Sequence, residues 1–136
     1  MAATVRVTFE QHISLPAETA YRRLCDWKDH ERWVPFTKVT VHDEETFTAY
    51  TGIGPLRLED NMRVVRRDDA SCEVVVEKTG PVLTGSAGFR VRPYSAESSI
   101  VVWTEELRVP LIPEAFAPLL RVMTRRLFRR ALKRLA

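Results

Sequence analysis

The sequence has 136 residues, of which 45% are hydrophobic and 29% are charged. This length suits one domain, residues 1–136, and the composition is that of an ordinary globular protein. No apolar run is long enough to cross a bilayer, and the N-terminal segment lacks the continuous apolar core of a secretory signal. These features exclude a protein with membrane-spanning helices, and we expect a cytoplasmic location.

The charge is unevenly distributed, although the formal net charge is only +3. Residues 121–134 contain seven basic residues and no acidic one, so the remainder of the chain is net acidic. The two cysteines, Cys25 and Cys72, form no CxxC pair and have no cysteine–histidine spacing typical of zinc ligands. This usage predicts two reduced thiols, no metal site and no other cofactor.

The first 35 residues predict a strand followed by one or two short helices. Apolar and polar side chains alternate in residues 4–14, which is the pattern of a half-buried strand. Pro16 fits the first turn of a helix, and residues 17–27 place apolar side chains three and four positions apart. Pro35 ends any helical continuation, because it disfavours the helical conformation of the residue before it.

The rest of the chain predicts six strands and one long helix. The strand segments are 38–43, 46–52, 56–66, 72–79, 82–92 and 98–109. Because only short polar turns separate them, consecutive strands must be antiparallel. Residues 114–135 then form a helix of about six turns. One helix cannot cover such a wide sheet completely, so we expect a cavity between them that binds a small molecule.

The run DWKDHERWVP, residues 26–35, is the densest group of candidate ligands in the chain. Asp26, His30 and Glu31 are residue types that bind metals or transfer protons. The alternative is a junction between two helices, where an aspartate accepts backbone N–H groups and acids stabilise the first turn. We favour the junction, with Trp33 anchoring the short helix and lining the mouth of the pocket.

Three polar residues lie on apolar strand faces. Asp60, Glu105 and Gln11 each alternate in phase with the apolar residues of their own strand, so their side chains should face the cavity. A carboxylate there is costly unless it is paired, hydrated or neutralised, and such groups often serve as acids, bases or ligand partners. Alternatively, the two acids lie near strand ends or across a β-bulge and contact water or an arginine. Glu105, in a long strand beside Trp103, is the first candidate for proton transfer and Asp60 the second.

The C-terminal helix has an apolar stripe and a basic face. The stripe, which should contact the core and part of the pocket, consists of Phe116, Leu119, Leu120, Met123, Leu127 and Ala131. Arg125, Arg126 and Arg129 lie around the far side. This face is a solvated surface that suits the helix C-terminus, a docking surface for anionic lipid, or an RNA-binding surface. Nucleic acid is the least favoured partner, because no aromatic residue on this face is placed for base stacking.

Two segments resemble a known superfamily. ISLPAETAYRRLCDWKDHERWVPF is similar to the opening of the START, polyketide-cyclase and plant-allergen proteins: a strand ending in Pro-Ala-Glu, an apolar helix, an Asp and a Trp-x-Pro. VLTGSAGFRVRPYSAESSIVVWTEEL resembles their late hairpin. The resemblance covers nearly the whole chain. It implies the α+β helix-grip fold, in which a seven-stranded antiparallel sheet grips a long C-terminal helix and two short helices follow strand 1.

The resemblance also implies a deep apolar pocket under the terminal helix. The superfamily includes polyketide aromatases and cyclases, lipid and quinone carriers, hormone receptors and ribosome-associated proteins, and no catalytic motif matches residue by residue. We expect binding of a small, mostly apolar organic molecule. If the protein is an enzyme, it cyclises or dehydrates a polyketide-like substrate, with Glu105 and Asp60 transferring protons at an enolisable carbonyl.

The alternative function is a non-enzymatic carrier or sensor of a lipid or quinone. Such a protein would dock on an anionic membrane through Arg125, Arg126 and Arg129. The sequence leaves the oligomeric state open. For either function, the residues expected to contact the ligand are Gln11, Trp33, Leu58, Met62, Phe89, Trp103, Phe116, Leu120 and Met123.

Overall fold

A computed structural model describes residues 2–110 and 112–136. The first half of the chain contains β1 (Ala2–Ile13), α1 (Ala17–Cys25), α2 (His30–Trp33), β2 (Thr37–Val41), β3 (Thr46–Ile53) and β4 (Leu56–Asp68). The second half contains β5 (Glu73–Thr79), β6 (Thr84–Pro93), β7 (Ser99–Pro110), a 3₁₀ turn (Glu114–Phe116) and α3 (Ala117–Lys133). The bounds of all seven strands lie within two residues of those expected from the sequence.

The strands form one antiparallel sheet in the order β1-β7-β6-β5-β4-β3-β2. Consecutive strands from β2 to β7 are neighbours, and β1 pairs with β7 at the far edge. The inner face of the sheet carries the buried apolar side chains, while the outer face is largely polar. The predicted helix-grip fold, with a seven-stranded sheet, two short helices after β1 and a long C-terminal helix, is therefore confirmed.

The alternation of inward and outward side chains in β4 is regular at Asp60. A β-bulge shifts the register of β4 against β5 between Val64 and Arg66. Asp60 precedes this bulge and pairs in regular register with Ala49 of β3. The bulge that would have turned Asp60 outward is therefore located too far along the strand to do so.

Helix α3 packs on the inner face of the sheet near β1. Phe128 stacks on Trp103 with ring centroids 5.0 Å apart, and Ala131 and Leu132 are completely buried. The expected apolar stripe is partly wrong, because Phe116, Leu119 and Met123 are more than half exposed. The helix face is selected by the Phe128 stack and by the close approach of the small Ala131. The 3₁₀ turn before Ala117 also breaks the single helical period assumed for residues 114–135.

The inner face has two unlike ends. At the closed end, α1 and α2 cover the sheet, and Arg23 of α1 donates a hydrogen bond to the backbone oxygen of Leu135. At the open end, where β3 ends and α3 begins, Phe36, Ile53 and Leu58 project into solvent. The helices therefore cover one end of the sheet completely and leave the other accessible.

Candidate ligand-binding cavity

A cavity of about 90 Å³ lies between the inner face of the sheet, the short helices and α3. Pockets for drug-sized ligands have volumes of about 300–1,000 Å³, so this one accommodates a small molecule or part of a larger one. Most of the wall is apolar or aromatic. The lining residues are Trp27, His30, Val34, Thr37, Val39, Phe47, Ala49, Thr51, Asp60, Met62, Val74, Val76, Lys78, Ala87, Gly88, Phe89, Trp103, Glu105 and Phe128.

Three ionisable residues meet in this wall, and we call Lys78, Asp60 and Glu105 the charged cluster. Lys78 Nζ donates to Asp60 Oδ2 at 2.6 Å and lies 3.7 Å from Glu105 Oε1. Trp103 Nε1 donates to Glu105 Oε2 at 3.2 Å. Only 3% of the Lys78 side chain and 4% of the Glu105 side chain are exposed, so water screens these charges weakly.

The charged cluster contains one cation and two carboxyl groups, which affects their protonation. Burial raises the pKa of Glu105, and the attraction of Lys78 and the Trp103 hydrogen bond do not reverse that effect. Burial alone would lower the pKa of Lys78, but the nearby Asp60 and Glu105 outweigh it and raise the pKa. The arrangement therefore favours an ammonium–carboxylate pair between Lys78 and Asp60, with Glu105 as the group that retains a proton most readily.

One atom of the charged cluster has an unused hydrogen-bonding position. Asp60 Oδ1 is buried and has no hydrogen-bond partner among residues 2–110 and 112–136. A buried acceptor without a partner costs about 1–3 kcal/mol, so such atoms occur where a ligand or water can supply the missing donor. The ammonium of Lys78, with three N–H donors, stands beside it. The residues of the cavity wall thus include N–H donors and a carboxylate acceptor, which are the groups that bind a polar atom of a ligand.

Asp60 and Glu105 lie on the inner face, as strand alternation predicts, and Lys78 is a third inward residue that those predictions do not include. The same alternation identifies Lys78, because Val74 and Val76 precede it in phase on β5 and are buried. A lysine at that phase is the cation that two inward acids require. The second interpretation expects an arginine beside the acids, whereas their cationic partner in the structure is the buried Lys78.

The run DWKDHERWVP forms the junction between α1 and α2. Asp26 Oδ1 accepts the backbone N–H of Asp29 at 3.3 Å. Glu31 Oε2 accepts hydrogen bonds from Lys28 Nζ and from the backbone N–H of Val39, and both lower the pKa of Glu31. These acids therefore connect the helices to each other and to β2, and they do not converge on a common ligand position.

Two aromatic residues of this run lie where the sequence did not place them. Trp33 is completely buried and packs edge-to-face on Trp103, so it lines neither the cavity nor its mouth. His30 does line the cavity, whereas the sequence predicts a place for it in the helix junction alone. Burial is the largest cause that lowers the pKa of His30, so its ring is neutral near pH 7. No periodicity signals this role, because α2 has only four residues.

The other residues expected to contact a ligand fall into two groups. Met62, Phe89 and Trp103 line the cavity. The remainder lie outside its lining: the amide of Gln11 donates to the backbone oxygen of His12, and Leu120 packs partly buried against the core. Leu58, Phe116 and Met123 are among the exposed side chains of the open end and of α3. Whether any of these residues touches a ligand stays a prediction.

The basic face of α3 is largely exposed to solvent. Arg125 and Arg126 are exposed, and the guanidinium of Arg129 lies 5.3 Å from the centre of the Phe9 ring. Arg129 is thus partly engaged by a cation–π contact with the core. In the part of the chain that the structure describes, no helix has the length and apolar character needed to span a membrane.

Family comparison covers almost the whole chain. Residues 4–136 match the model of the family described as polyketide cyclase / dehydrase and lipid transport. The chain belongs to this family. No curated protein matches the chain in sequence.

Solved structures show the same fold as this family member at low sequence identity. The Zhui aromatase/cyclase from Streptomyces sp. R1128 is 16% identical with a TM-score of 0.78, over 97% of this chain and 91% of that one. A START superfamily protein from Mycobacterium smegmatis is 14% identical with a TM-score of 0.82, over 94% of both chains. Norcoclaurine synthase from Thalictrum flavum, in complex with dopamine and hydroxybenzaldehyde, is 12% identical with a TM-score of 0.68, over 96% of this chain and 85% of that one.

Proposed function

We propose that this protein binds a small, mostly apolar organic molecule with a carbonyl group, and that the charged cluster recognises that carbonyl. The observation that carries the proposal is the set of Lys78, Asp60 and Glu105 in the wall of an otherwise apolar cavity. Burying three ionisable groups destabilises a fold unless they are well paired. A cluster kept inside a cavity, with one acceptor atom unpaired, therefore supports a binding role more than a stabilising one.

The same groups are suited to proton transfer at an enolisable carbonyl. The Asp60 carboxylate would remove a proton from the carbon next to the carbonyl, and the C–H electron pair would form the enol double bond. Lys78 or protonated Glu105 would donate to the carbonyl oxygen as negative charge develops there. In a dehydration, Lys78 would stabilise the enolate oxygen, and Glu105 would give its proton to the hydroxyl on the β-carbon. The carbonyl would re-form, the double bond would move to the α- and β-carbons, and the C–O bond would break with its electron pair leaving in water. Transfer of the proton held by Asp60 to Glu105 would restore both carboxyl groups. This sequence is a cyclase- or dehydrase-like reaction.

The family and its structural neighbours support an organic ligand of this kind. The family description includes cyclases and dehydrases, and one neighbouring structure is an aromatase/cyclase. Another was solved with dopamine and hydroxybenzaldehyde, two small aromatic molecules. The cavity of about 90 Å³ suits a ligand of one aromatic ring. For a longer polyketide-like chain, we expect the exposed first turns of α3 to move away from the open end.

Native mass spectrometry of freshly purified protein tests the binding proposal. We expect a mass increase from a bound organic molecule and loss of that increase in Glu105→Gln and Lys78→Met. Glu106→Gln is the matched control, because Glu106 is the next residue but points outward and pairs with Arg6. Absence of any co-purifying molecule, together with no binding of added aromatic ketones, would overturn the proposal. Equal retention in Glu105→Gln would remove Glu105 from the site.

A test for turnover separates an enzyme from a binding protein. The molecule released from the purified protein, or an added β-hydroxy ketone, would be incubated with the protein and followed by mass spectrometry. Loss of 18 mass units per molecule, the mass of water, indicates dehydration. We expect Asp60→Asn to abolish that loss while retaining part of the binding, since an amide keeps the shape but is not a base. Binding without conversion would leave a carrier or sensor.

The second candidate function is a lipid or quinone carrier that docks on anionic membranes. The observation that favours it is the exposed surface of α3, where Leu119, Val122 and Met123 are each more than half exposed beside Arg125 and Arg126. An apolar strip next to uncompensated cations is the pattern of a surface that lies in the membrane interface. Residues 121–134 contain no acid to neutralise it.

Flotation with vesicles tests the docking surface. We expect binding to vesicles containing phosphatidylserine, no binding to phosphatidylcholine alone, and loss of binding in high salt. Replacing Arg125, Arg126 and Arg129 together by Gln should weaken binding by about 1 kcal/mol per residue. The control with equal net charge replaces Arg63, Arg66 and Arg92, which form ion pairs on other surfaces. No flotation at low salt, or equal loss in both triple variants, would reject this candidate.

A further inference from the structure

We infer that His30 is a second recognition point in the cavity, where its Nδ1 accepts a hydrogen bond from a hydroxyl group of the ligand. This inference rests on the proposed function and deepens it, because it names the ligand class. The ligand would carry a carbonyl oxygen at the charged cluster and a hydroxyl at the closed end. Hydroxylated aromatic ketones and aldehydes have this arrangement.

The hydrogen bonding of His30 assigns its tautomer. His30 Nε2 lies 2.8 Å from the backbone oxygen of Leu24. A carbonyl oxygen only accepts hydrogen bonds, so Nε2 must carry the proton. In a neutral imidazole the other nitrogen then has a free lone pair and acts as an acceptor. Burial favours this neutral ring, whereas the Leu24 contact and the more distant Asp29 and Asp26 favour the charged form without reversing the preference.

His30 lines the cavity, and the Nδ1 lone pair of its ring points away from the contact with Leu24. Leu24 belongs to α1, which backs the closed end, and the two ring nitrogens of an imidazole point in widely different directions. Aromatic rings surround His30, with centroids at 4.7 Å for Trp33, 5.4 Å for Trp27 and 6.5 Å for Phe47. Among the residues that the structure describes, none donates a hydrogen bond to Nδ1. A lone pair at the wall of an apolar cavity favours a ligand that brings a donor.

The strand register describes the part of the cavity wall that lies near the two recognition points. Phe47, which neighbours His30, and Ala49, which pairs with Asp60, are successive inward residues of β3. At about 3.4 Å per residue, they are about 7 Å apart along the strand. One aromatic ring with an oxygen atom at each end has a similar length, so it fits along the wall from Phe47 to Ala49. The two recognition points therefore select for the chemistry of the ligand, a carbonyl and a hydroxyl group on one small molecule.

A pair of probes separates the two recognition points. Acetophenone has only the carbonyl, while 4-hydroxyacetophenone adds a hydroxyl at the opposite end of the ring. Their affinities would be measured from the quenching of tryptophan fluorescence, since Trp27 and Trp103 line the cavity. We expect the hydroxyl to tighten binding to the wild-type protein about 3- to 10-fold, as for one added neutral hydrogen bond. In His30→Leu the ratio should fall to about one, with acetophenone affinity retained.

A control variant and a second measurement complete the test. His12→Leu removes an exposed histidine on β1 and should preserve the affinity ratio. In wild-type protein with ¹⁵N-labelled histidine, the hydroxylated probe should shift the Nδ1 resonance of His30, and acetophenone should not. This measurement applies even if His30→Leu fails to fold. Equal affinities of the two probes, a ratio that survives in His30→Leu, or an unshifted Nδ1 would overturn the role of His30 alone. If neither probe binds, the proposed function fails as well.

Discussion

The closed and open ends of the cavity consist of similar apolar residues, which are buried at the closed end and exposed at the open end. Phe47 and Ile53 illustrate this, because both belong to the inner face of β3. Phe47, at the closed end, is 2% exposed and stacks on Trp27 with ring centroids 4.5 Å apart. Ile53, at the open end, is 67% exposed. Apolar residues on one face of one strand therefore stabilise the fold at the closed end and remain available for other contacts at the open end.

The closed end stabilises the fold, whereas the open end gives a ligand access to the cavity. The closed end holds the tightly packed aromatic cluster and the His30 ring, and its residues are the ones that folding buries. The open end exposes apolar groups whose burial would be favourable by about 25 cal/mol per Å². A ligand, a membrane or a moving α3 could supply that burial. The charged cluster lies between the two ends. It is buried, and a ligand that enters from the open end would reach it.

The largest expected effect comes from truncating the closed end. Phe47→Ala removes a buried ring and enlarges an existing cavity, so the free energy of unfolding should fall by about 3–5 kcal/mol. Urea denaturation followed by tryptophan fluorescence measures this change. A loss below 1 kcal/mol would show that the closed end is loosely packed, and the comparison of the two ends would break down.

Removing the cation of the charged cluster should have the next largest effect. Lys78→Met leaves the Asp60 carboxylate buried without its partner, which should destabilise the protein by about 3 kcal/mol. The double variant with Asp60→Asn should recover part of that loss, because no unpaired charge then remains. Both variants would be compared with wild type by urea denaturation at pH 7. If the double variant is no more stable than Lys78→Met, the pair is not coupled as the 2.6 Å contact implies.

Glu105 should make the free energy of unfolding depend on pH, whereas its outward neighbour Glu106 should not. Its pKa is raised above the ordinary value of 4.5, so the folded state binds a proton that the unfolded state has released. The stabilising contribution is complete below pH 4.5 and is lost as pH rises through the folded pKa, at about 1.4 kcal/mol per pH unit. In Glu105→Gln this decline should be absent.

The control for that measurement is Glu106→Gln, which should keep the wild-type slope. Lys78 does not confuse the result, because its raised pKa lies above 10.5 and its stabilising contribution is constant at lower pH. The free energy of unfolding would be measured from pH 5 upward for the three proteins. Parallel curves for wild type and Glu105→Gln would mean that Glu105 is ionised in the folded state.

The smallest expected effect is at the open end. Ile53→Ala should change the free energy of unfolding by less than about 0.5 kcal/mol, because most of this side chain is already in solvent. The measurement is the same urea titration as for Phe47→Ala, in the same strand and on the same face. A loss comparable with that of Phe47→Ala would indicate that a partner or a closed state buries Ile53 in solution.

Much of the fold follows from local patterns. Alternation of side chains predicts β1 and places Asp60 and Glu105 inward, because successive residues of a strand must face opposite sides. The short polar turns predict the limits of the other six strands. The prolines and the helical spacing defined α1 and α3. Alternation along β5 also places Lys78 inward, in phase with the buried Val74 and Val76. Function followed only as far as the family, because a fold hosts many activities.

The sequence alone determined which residues face inward, since strand alternation is a property of the chain itself. Only the tertiary structure decided which inward residues meet. Lys78 pairs with Asp60 because β5 lies beside β4 in a particular register, and cross-strand registers are set by packing across the whole sheet. His30 lines the cavity, and Trp33 does not, because α2 is one short turn whose orientation depends on contacts with β2, β3 and α1. Such contacts join residues that are distant in sequence, so a local pattern of apolar residues cannot predict them.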